Sequence, residues 1–266
     1  MTHADASSEA LPLIAAKKLS RVYPTATGGG VHALAEIDLK IKPGEFVSIV
    51  GPSGCGKSTL LRIVAGLDAH DDGEILLENK PINGPSAKAG VVFQAANLLP
   101  WLTVRENIEL PLRVGGHKHA DKPHISNLLE MTGLGDFGER YPYELSGGMQ
   151  QRAGICRALA RNPDILLMDE PFGALDALTR ERMNLELQRI WQTSGKTVLL
   201  ITHSIAEAIF LGDRVVVMSA RPGRIIADIA VGIPRPRSLD TILAHANYSA
   251  ISREIRGLLN AQGEVD

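Results

Sequence analysis

The sequence lacks the features that mark a secreted protein. It has only two cysteines in 266 residues, Cys55 and Cys156, which are too few for a disulfide framework. Its first residues, MTHADASSEA, carry Asp and Glu where a secretory signal needs a basic segment before an apolar one. These two absences predict a cytoplasmic protein.

Long apolar runs and an excess of basic charge are also missing. Runs such as ILLM and TVLLI are far shorter than the roughly 20 apolar residues of a membrane-spanning helix, so any membrane span must come from another chain. The formal net charge of −2 is unlike the strongly basic surface that usually binds DNA or RNA. We therefore expect no nucleic-acid partner.

What the sequence does contain is a series of short apolar strands in alternation with helical segments. With 44% hydrophobic residues, the chain can bury a full core. The runs EFVSIV, GVVF, DILLMD, TVLLIT, DRVVVMS and RIIADIAV are continuously apolar and rich in β-branched residues, which is typical of strands covered on both faces. The pattern predicts an α/β fold with a mostly parallel sheet.

The spacing of these runs predicts one domain over residues 12–266. Between GVVF and DILLMD lies a long stretch with helical character, which predicts a helical subdomain inserted at about residues 95–162. A short C-terminal extension, about 224–266, combines a strand-like run with the helical YSAISREIRGLL. We expect the first ten residues and the final AQGEVD to be frayed.

The segment Gly51–Ser58, GPSGCGKS, fits the pattern of a phosphate-binding loop. It follows the strand EFVSIV and precedes a helix that we predict to begin near Lys57, so backbone N–H groups can surround a phosphate at the helix N-terminus. Lys57 is predicted to reach the β- and γ-phosphates, and the Ser58 hydroxyl to bind Mg²⁺. The alternative is a glycine turn with a solvated lysine.

The strand ILLMD ends in two acids, Asp169 and Glu170. Open parallel sheets bind ligands at the carboxyl ends of their strands, so these carboxylates are predicted to lie beside the nucleotide. Asp169 would complete the Mg²⁺ site, and Glu170 would accept a proton from the attacking water. Without the phosphate loop, the start of a salt-bridged loop would be an equally good interpretation.

Three further residues are candidates by position. His203 follows the strand TVLLIT and can contact the γ-phosphate and orient Glu170, although a lone histidine is more often structural. Gln94 ends the strand GVVF and is predicted to touch Mg²⁺ or water at the start of the inserted helices. Tyr23 is a candidate for stacking on the base, with a tyrosine that caps the core as the alternative.

The segment LSGGMQQR, residues 145–152, predicts a second anion site at a helix N-terminus, formed by Ser146, Gly147 and Gly148. This site and the phosphate loop could face one phosphate within a chain only if the inserted helices folded back over the sheet. The alternative is a head-to-tail dimer with two-fold symmetry, in which each site faces the nucleotide of the other molecule.

The motifs GPSGCGKS, LSGGMQQR, ILLMDEP, GALD and His203 occur in this order, and the chain thereby resembles the ATPase subunits of ATP-binding cassette (ABC) transporters. The similarity runs from Tyr23 to about Gly223, and the LSGG signature is highly specific to that superfamily. It implies a P-loop NTPase core with a mostly parallel sheet, an antiparallel N-terminal β subdomain and the inserted α-helical subdomain.

The resemblance also implies roles for the matching residues. It implies adenine stacking by Tyr23, contact with Mg²⁺ and water by Gln94, Mg²⁺ binding by Asp169, catalysis by Glu170 and contact with the γ-phosphate by His203. Phosphate binding is implied for Gly51, Pro52, Ser53, Gly54, Cys55, Gly56, Lys57, Ser58 and Thr59. Contact across a dimer is implied for Ser146, Gly147, Gly148, Gln150 and Asp176. In GALD, Gly173 departs from the serine that is common there.

Two segments, PFGALDALTR and VMSARPGRI, resemble the importer ATPases for nitrate, sulfonates, taurine and similar nutrients. The implied function is ATP hydrolysis with Mg²⁺ by a homodimer that drives separate integral membrane permease subunits. A periplasmic or extracellular solute-binding protein would take part indirectly, and the subunit would lie at the cytoplasmic face of the membrane. The alternatives are a non-transport ABC ATPase and, less well supported, a P-loop small-molecule kinase.

The segment NLLPWLTVRENI, just after Gln94, is the candidate surface for the permease. Leu98, Leu99 and Trp101 lie close together in it, and an exposed apolar patch usually marks a partner site. The alternative is that these side chains belong to the core.

Overall fold

The computed structural model describes residues 11–25, 28–115, 122–173 and 175–261. The first ten residues and the last five, where the sequence predicts fraying, lie outside the described residues. Across those four ranges, no helix combines the length and the apolar character needed to cross a membrane.

A six-stranded sheet forms the centre of the molecule. Its strands are β3 (Phe46–Val50), β6 (Ala89–Val92), β7 (Ile165–Asp169), β8 (Thr197–Ile201), β9 (Arg214–Met218) and β10 (Ile225–Ala230). They lie in the order β10-β9-β3-β8-β7-β6, and every neighbouring pair is parallel except β10 with β9. The six apolar runs of the sequence are these six strands, which confirms the prediction of a mostly parallel sheet.

Each central strand contributes side chains to two separate hydrophobic clusters. On β3, Val47 and Ile49 belong to one cluster, whereas Phe46 and Val50 belong to the other. Successive side chains of a strand point to opposite faces, so the sheet is apolar on both faces and must be covered twice. This explains why these strands are continuously apolar in the sequence.

An antiparallel sheet covers one of these faces. It has the order β2-β1-β4-β5, formed by β1 (Ile14–Pro24), β2 (Gly30–Ile41), β4 (Asp72–Leu77) and β5 (Lys80–Pro81). Helix α1 (Lys57–Val64) buries Leu60, Leu61 and Ile63 in the cluster that this sheet shares with the central sheet. The antiparallel N-terminal β unit implied by the resemblance is therefore present.

The described residues between β6 and β7, which exclude 116–121, form three helices at the position predicted for the insertion. They are α2 (Val104–Val114), α3 (Lys122–Met131) and α4 (Gly147–Leu159), and two short 3₁₀ turns (Gly135–Phe137 and Pro142–Glu144) connect α3 to α4. Helix α2 begins with a capping box, in which Thr103 and Glu106 satisfy each other's backbone N–H groups. Helix α4 is the one predicted from LSGGMQQR, and Ser146 caps its N-terminus.

The remaining helices cover the second face of the central sheet. They are α5 (Ala177–Ser194), α6 (Ile205–Leu211), α7 (Leu239–Leu243) and α8 (Ala246–Asn260). The C-terminal extension contains the predicted strand, β10, and the predicted helix, α8. Ile251 and Ile255 of α8 are buried in the same cluster as Phe46 and Val50, so the extension is part of the core.

Candidate functional site

All five parallel strands of the central sheet deliver candidate residues at their carboxyl ends. The phosphate loop follows β3, Gln94 follows β6, Asp169 and Glu170 end β7, and His203 follows β8. Arg221, which the sequence analysis did not select, follows β9. Ligands of open parallel sheets bind at this edge, and the register of the strands brings these groups together.

The phosphate loop has the backbone that its glycines predict. Gly56 caps α1 with a φ of +106°, and a Cβ on it would lie 2.6 Å from the carbonyl oxygen of Ala33, so only glycine fits there. The Lys57 ammonium donates to the carbonyl oxygens of Gly51 (2.6 Å) and Pro52 (2.8 Å). Lys57 is only 6% exposed, which contradicts the alternative of a turn with a solvated lysine.

The residues predicted to bind Mg²⁺ offer the oxygen ligands that this ion prefers. The Ser58 hydroxyl donates to Asp169 Oδ1 over 3.0 Å, so a hydroxyl and a carboxylate from two different elements share one location. Burial raises the pKa of the Asp169 carboxyl, while the hydrogen bond from Ser58 lowers it. An oxygen pair of this kind at the phosphate loop fits a magnesium ion.

Glu170 and His203 face each other, as the sequence predicts. His203 Nδ1 lies 3.2 Å from Glu170 Oε2. Glu170 adopts a φ of +45°, a strained conformation for a residue with a side chain, and its carbonyl accepts a hydrogen bond from the Gly173 N–H at 3.1 Å. The turn therefore holds the Glu170 carboxylate at the end of β7 and directs it toward His203.

Gln94 lies beside the same turn. A Cβ on Gly173 would be 3.0 Å from Gln94 Nε2 and 3.5 Å from Glu170 Oε2. Glycine at this position therefore leaves room beside the turn for the Gln94 amide and the Glu170 carboxylate. Ala174, in the same GALD segment, lies outside the described residues.

Two charged residues that the sequence did not indicate, Arg180 and Glu207, lie near this turn. Arg180 on α5 donates to the carbonyl oxygens of Phe172 (3.3 Å) and Leu175 (2.9 Å), on either side of Gly173. Glu207 on α6 is 4% exposed, and its Oε1 has no hydrogen-bond partner. Burial raises the pKa of the Glu207 carboxyl, and the nearby charge of Arg180 lowers it.

Tyr23 lies at the edge of the phosphate loop and is only half-buried, so it does not cap the core. Its hydroxyl donates to Asp68 and lies 3.5 Å from Thr59 Oγ1. The Arg21 guanidinium lies over the tyrosine ring, 4.7 Å from its centre. The orientation of the ring is therefore fixed from both its edge and its face.

The phosphate loop, Tyr23 and Glu170 line a cavity of about 260 Å³. It is lined by Tyr23, Val31, Ala33, Ser53, Gly54, Gly56, Lys57, Ser58, Thr59, Glu170 and Arg221. The structure thus brings together the phosphate loop, the tyrosine and the glutamate that the sequence selects. Gln94, Asp169 and His203 do not line it, although Asp169 contacts the lining residue Ser58 and His203 contacts the lining residue Glu170. Ser146, Gly147 and Gly148 do not line it either.

The start of α4 packs against α5 of the same chain instead. A Cβ on Gly147 would lie 3.6 Å from the Leu175 side chain, and one on Gly148 would lie 3.4 Å from that of Thr179. Gln150 donates to the carbonyl oxygens of Pro142 (2.9 Å) and Leu145 (3.3 Å). Two residues for which a contact across a dimer is predicted cap helices in this chain. Ser146 caps α4, and Asp176 caps α5 by accepting a hydrogen bond from the Thr179 N–H at 3.0 Å.

The pKa of the Asp176 carboxyl is lowered by its hydrogen bonds to Thr179. Asp176 is therefore ionised at neutral pH, and it remains exposed at the surface beside the glycines of α4. Ser146, Gly147 and Asp176 are all exposed, and none of them lines the cavity.

Helix α4 is also fastened to the loop that follows Gln94. Its buried Gln151 donates to the carbonyl oxygens of Phe93 (3.1 Å) and Gln94 (3.2 Å), and to that of Pro171 next to Glu170. Two turns further on, Arg157 donates to the carbonyl oxygens of Ala96 (2.5 Å) and Asn97 (2.7 Å). The polar side chains of this helix gave no sequence signal of these contacts.

The three apolar residues proposed as a partner surface are divided by the structure. Trp101 is 69% exposed, whereas Leu98 is partly buried and packs against the core cluster, and Leu99 is half-buried. Asn107 on α2 is fully buried and donates to the carbonyl oxygens of Leu99, Leu102 and Thr103. The asparagine fixes the turn that presents Trp101.

Comparison with known proteins identifies the family. The family model described as ABC transporter matches residues 34–173. A taurine import ATP-binding protein, TauB, from Jannaschia sp. (strain CCS1) is 50% identical over 213 residues, which cover 80% of each chain. An uncharacterized ABC transporter ATP-binding protein, MJ0412, from Methanocaldococcus jannaschii is 50% identical over 216 residues, 81% of each chain.

Among solved structures, the chain is similar to a dimeric post-hydrolysis state of the ATP-binding cassette MJ0796 bound to ADP and Pi. The two share 36% sequence identity with a TM-score of 0.71, over 83% of this chain and 100% of that one. The phosphate loop, the carboxylates at the end of β7 and the serine-glycine start of α4 therefore occur in a known type of enzyme: the chain belongs to the ABC transporter family and is one of its ATP-binding, ATP-hydrolysing subunits.

Proposed function

We propose that this chain is the ATPase subunit of an ABC importer, in which two copies enclose two Mg-ATP and drive a separate membrane permease. The similarity to taurine import ATP-binding proteins supports import of taurine or a similar small nutrient such as a sulfonate or nitrate. The subunit would then lie peripherally at the cytoplasmic face of the membrane. Residues 12–266 would act as one domain, with the inserted helices at about 95–162.

The nucleotide would bind in the cavity at the phosphate loop. Tyr23 would stack on the base, and the loop at residues 51–59 would surround the phosphates with its backbone N–H groups, which every residue of it except Pro52 has. Lys57 would leave its carbonyl partners for the β- and γ-phosphates. Ser58, Asp169 and Gln94 would hold Mg²⁺, whose positive charge would offset that of the phosphates. A periplasmic or extracellular solute-binding protein would take part only through the permease.

Glu170 is the proposed general base. Its Oε2 would accept the proton of the attacking water, and His203, 3.2 Å away, would orient the carboxylate and contact the γ-phosphate. Gln94, whose amide lies beside Gly173 in the turn that follows Glu170, would orient the same water. These side chains would act only by positioning groups or by transferring a proton.

The single observation that carries the dimer is that the exposed Ser146 and Gly147 do not line the cavity of their own chain. The start of α4 packs on α5 and is not part of the cavity lining. Its Ser146, Gly147 and Gly148 therefore suit the nucleotide of a second copy, with Gln150 and Asp176 beside them at the contact. The dimeric state of the similar MJ0796 cassette also supports this arrangement.

Magnitudes indicate that ATP can control the pairing. Association costs about 4–15 kcal/mol in lost freedom, while each charge-assisted hydrogen bond to a phosphate contributes about 1.5–3 kcal/mol. Two γ-phosphates that are each contacted from both chains can tip this balance. Hydrolysis removes the bridging group, and the two chains separate.

The permease would dock at the turn that presents Trp101. The large exposed ring supports a partner contact, and Gln151 and Arg157 connect the neighbouring loop to α4. Of the three apolar residues predicted to form this surface, Trp101 is the one with a largely exposed side chain, and it would make the main contact with the permease. Leu98 and Leu99 would support the turn from beneath.

The test is the substitution Glu170→Gln. It should retain ATP binding and lower the hydrolysis rate by about 10²- to 10⁴-fold, because the amide keeps the shape of the side chain but cannot accept the proton. With saturating Mg-ATP, this variant should form dimers, measured by light scattering. The exposed Glu254→Gln is the matched control and should hydrolyse ATP at the wild-type rate.

Normal turnover in Glu170→Gln would remove the glutamate from its role, and a protein that stays monomeric with ATP at every concentration would refute the dimer. Phosphate release without any acceptor separates an ATPase from a small-molecule kinase. Co-purification with a membrane permease separates a transport subunit from a non-transport ABC ATPase.

A further inference from the structure

The turn after β9, residues 219–224, lies against the phosphate loop. Ser219 organises the turn: its hydroxyl accepts from the Arg224 N–H (3.0 Å), and its own N–H donates to the Arg224 carbonyl (2.9 Å). The buried Gly223 donates to the Ala33 carbonyl (3.0 Å) and accepts from the Ala35 N–H (3.0 Å) on β2. The turn is therefore anchored both internally and to the antiparallel sheet.

From this anchored turn, the Arg221 side chain reaches the phosphate loop. Its Nε and Nη2 both donate to the carbonyl oxygen of Gly54, at 3.1 and 2.9 Å. The N–H at the other end of the same peptide unit, that of Cys55, donates to the Pro52 carbonyl at 3.2 Å. The Gly54–Cys55 peptide is thus held from both ends in a single orientation.

This peptide would otherwise be free to rotate. Gly54 adopts a φ of +72°, and glycine populates both signs of φ almost equally, so the loop gains conformational freedom wherever a glycine is not held. A phosphate-binding loop needs its N–H groups to point inward and its carbonyl groups outward. Arg221 holds the Gly54 carbonyl in one orientation, so less ordering is left for the moment of binding.

Arg221 also brings a positive charge to the edge of the site. It lines the same cavity as Tyr23, Lys57 and Glu170, and its side chain is exposed there. Lysine could not replace it fully, because an ammonium is a point charge without the planar fork that donates through two nitrogens at once.

We propose that Arg221 is a positioning residue that preforms the phosphate loop and thereby sets its affinity for nucleoside di- and triphosphates. The inference rests on the proposed nucleotide site and adds a residue to it. Arg221 acts through Gly54, so it should influence binding far more than the chemical step at Glu170.

The experiment measures the Kd of Mg-ADP for the wild type, R221A, R221K and R224A, together with the KM and kcat for ATP. R221A should weaken Mg-ADP binding by about tenfold, which corresponds to about 1.4 kcal/mol, and should raise the KM for ATP while kcat stays within about twofold. R221K should bind more weakly than the wild type by at least about threefold, since it keeps the charge but loses the fork.

R224A is the matched control, because Arg224 lies in the same turn but its side chain pairs with Glu36 at the surface. It should bind Mg-ADP as the wild type does. Wild-type affinity in R221A would overturn the proposal, and so would full affinity in R221K, since charge alone would then be sufficient. If R221A does not fold, R221K decides. A wild type that binds no nucleotide would instead refute the proposed site itself.

Discussion

Replacing the buried Arg237 by methionine should destabilise the protein more than any surface substitution. Arg237 is 3% exposed. Its Nη1 donates to the carbonyl oxygens of Ile209 (2.8 Å), Phe210 (2.9 Å) and Gly212 (2.8 Å), and its Nε and Nη2 donate to that of Ile233. It therefore satisfies the carbonyl groups at the end of α6, where an unpaired C=O is otherwise left and a positive charge is favourable.

The magnitude follows from these contacts. Methionine has a similar length and no donors, so the three carbonyl groups at the end of α6 and the carbonyl group of Ile233 lose their partner. A buried polar group without a partner costs about 1–3 kcal/mol. Burial of the cation is itself unfavourable, since desolvation lowers the pKa of Arg237 to about 10, and its removal offsets part of this cost. At the lower value the four carbonyl groups would cost about 4 kcal/mol, and this offset leaves an expected loss of about 3 kcal/mol.

Urea unfolding followed by circular dichroism measures this loss as a lower midpoint. Thermal unfolding should show a decrease of about 6–12 °C, at about 2–4 °C for each kcal/mol in a domain of this size. The control is R253M on α8, because Arg253 is exposed and should change stability by less than about 0.5 kcal/mol. If R237M proved as stable as R253M, the carbonyl contacts would carry no net stabilisation and the reasoning would be wrong.

Two further predictions concern the site. Tyr23→Phe removes the hydroxyl that donates to Asp68 but keeps the ring, so the affinity for ATP should stay within about threefold of the wild type. Tyr23→Ala removes the ring and should weaken ATP binding by about 5- to 150-fold, the equivalent of about 1–3 kcal/mol of stacking. Equal losses in the two variants, measured by equilibrium binding, would exclude stacking. Burial raises the pKa of Glu207 above its ordinary value of 4.5, so the folded protein binds the proton more tightly than the unfolded chain, and stability falls as pH rises through the raised pKa. Glu207→Gln should lack this loss and should therefore melt at a higher temperature than the wild type at pH 8. The difference in melting temperature should vanish toward pH 4.5. A difference that stays the same at every pH would show that Glu207 is not the group responsible.

The central sheet could be predicted because burial on both faces leaves a plain signal in the sequence. A strand such as β8, Thr197–Ile201, must be apolar at every position, and turn residues separate each strand from the helices that cover it. The phosphate loop and the two acids were equally predictable, since their backbone requirements fix the residue types. The resemblance supplied the antiparallel sheet, whose register shifts between Ala16, Leu19 and Arg21 interrupt the regular alternation.

The supporting residues could not be predicted, because each depends on contacts between distant segments. Arg180 donates hydrogen bonds to carbonyl groups near Gly173, and Gln151 donates to those of Gln94 and Pro171. Arg237 donates to the carbonyl groups at the C-terminal end of α6. In the sequence they are ordinary polar residues, and nothing local distinguishes them from solvent-exposed ones. Arg221 is different, because it follows a parallel strand, and that position alone predicts a place at the ligand-binding edge of the sheet.

Helix α4 connects the loop after Gln94 with the exposed Ser146 at its N-terminus. Thirteen residues at 1.5 Å each make a helix of about 20 Å, with Ser146 at one end and, near the other, Arg157 bound to the backbone of Ala96 and Asn97. Because the helix and the loop share hydrogen bonds, a displacement of the loop would move the serine and glycines with it. If the proposed permease docks near Trp101, the whole helix would then carry its movement to the proposed nucleotide contact.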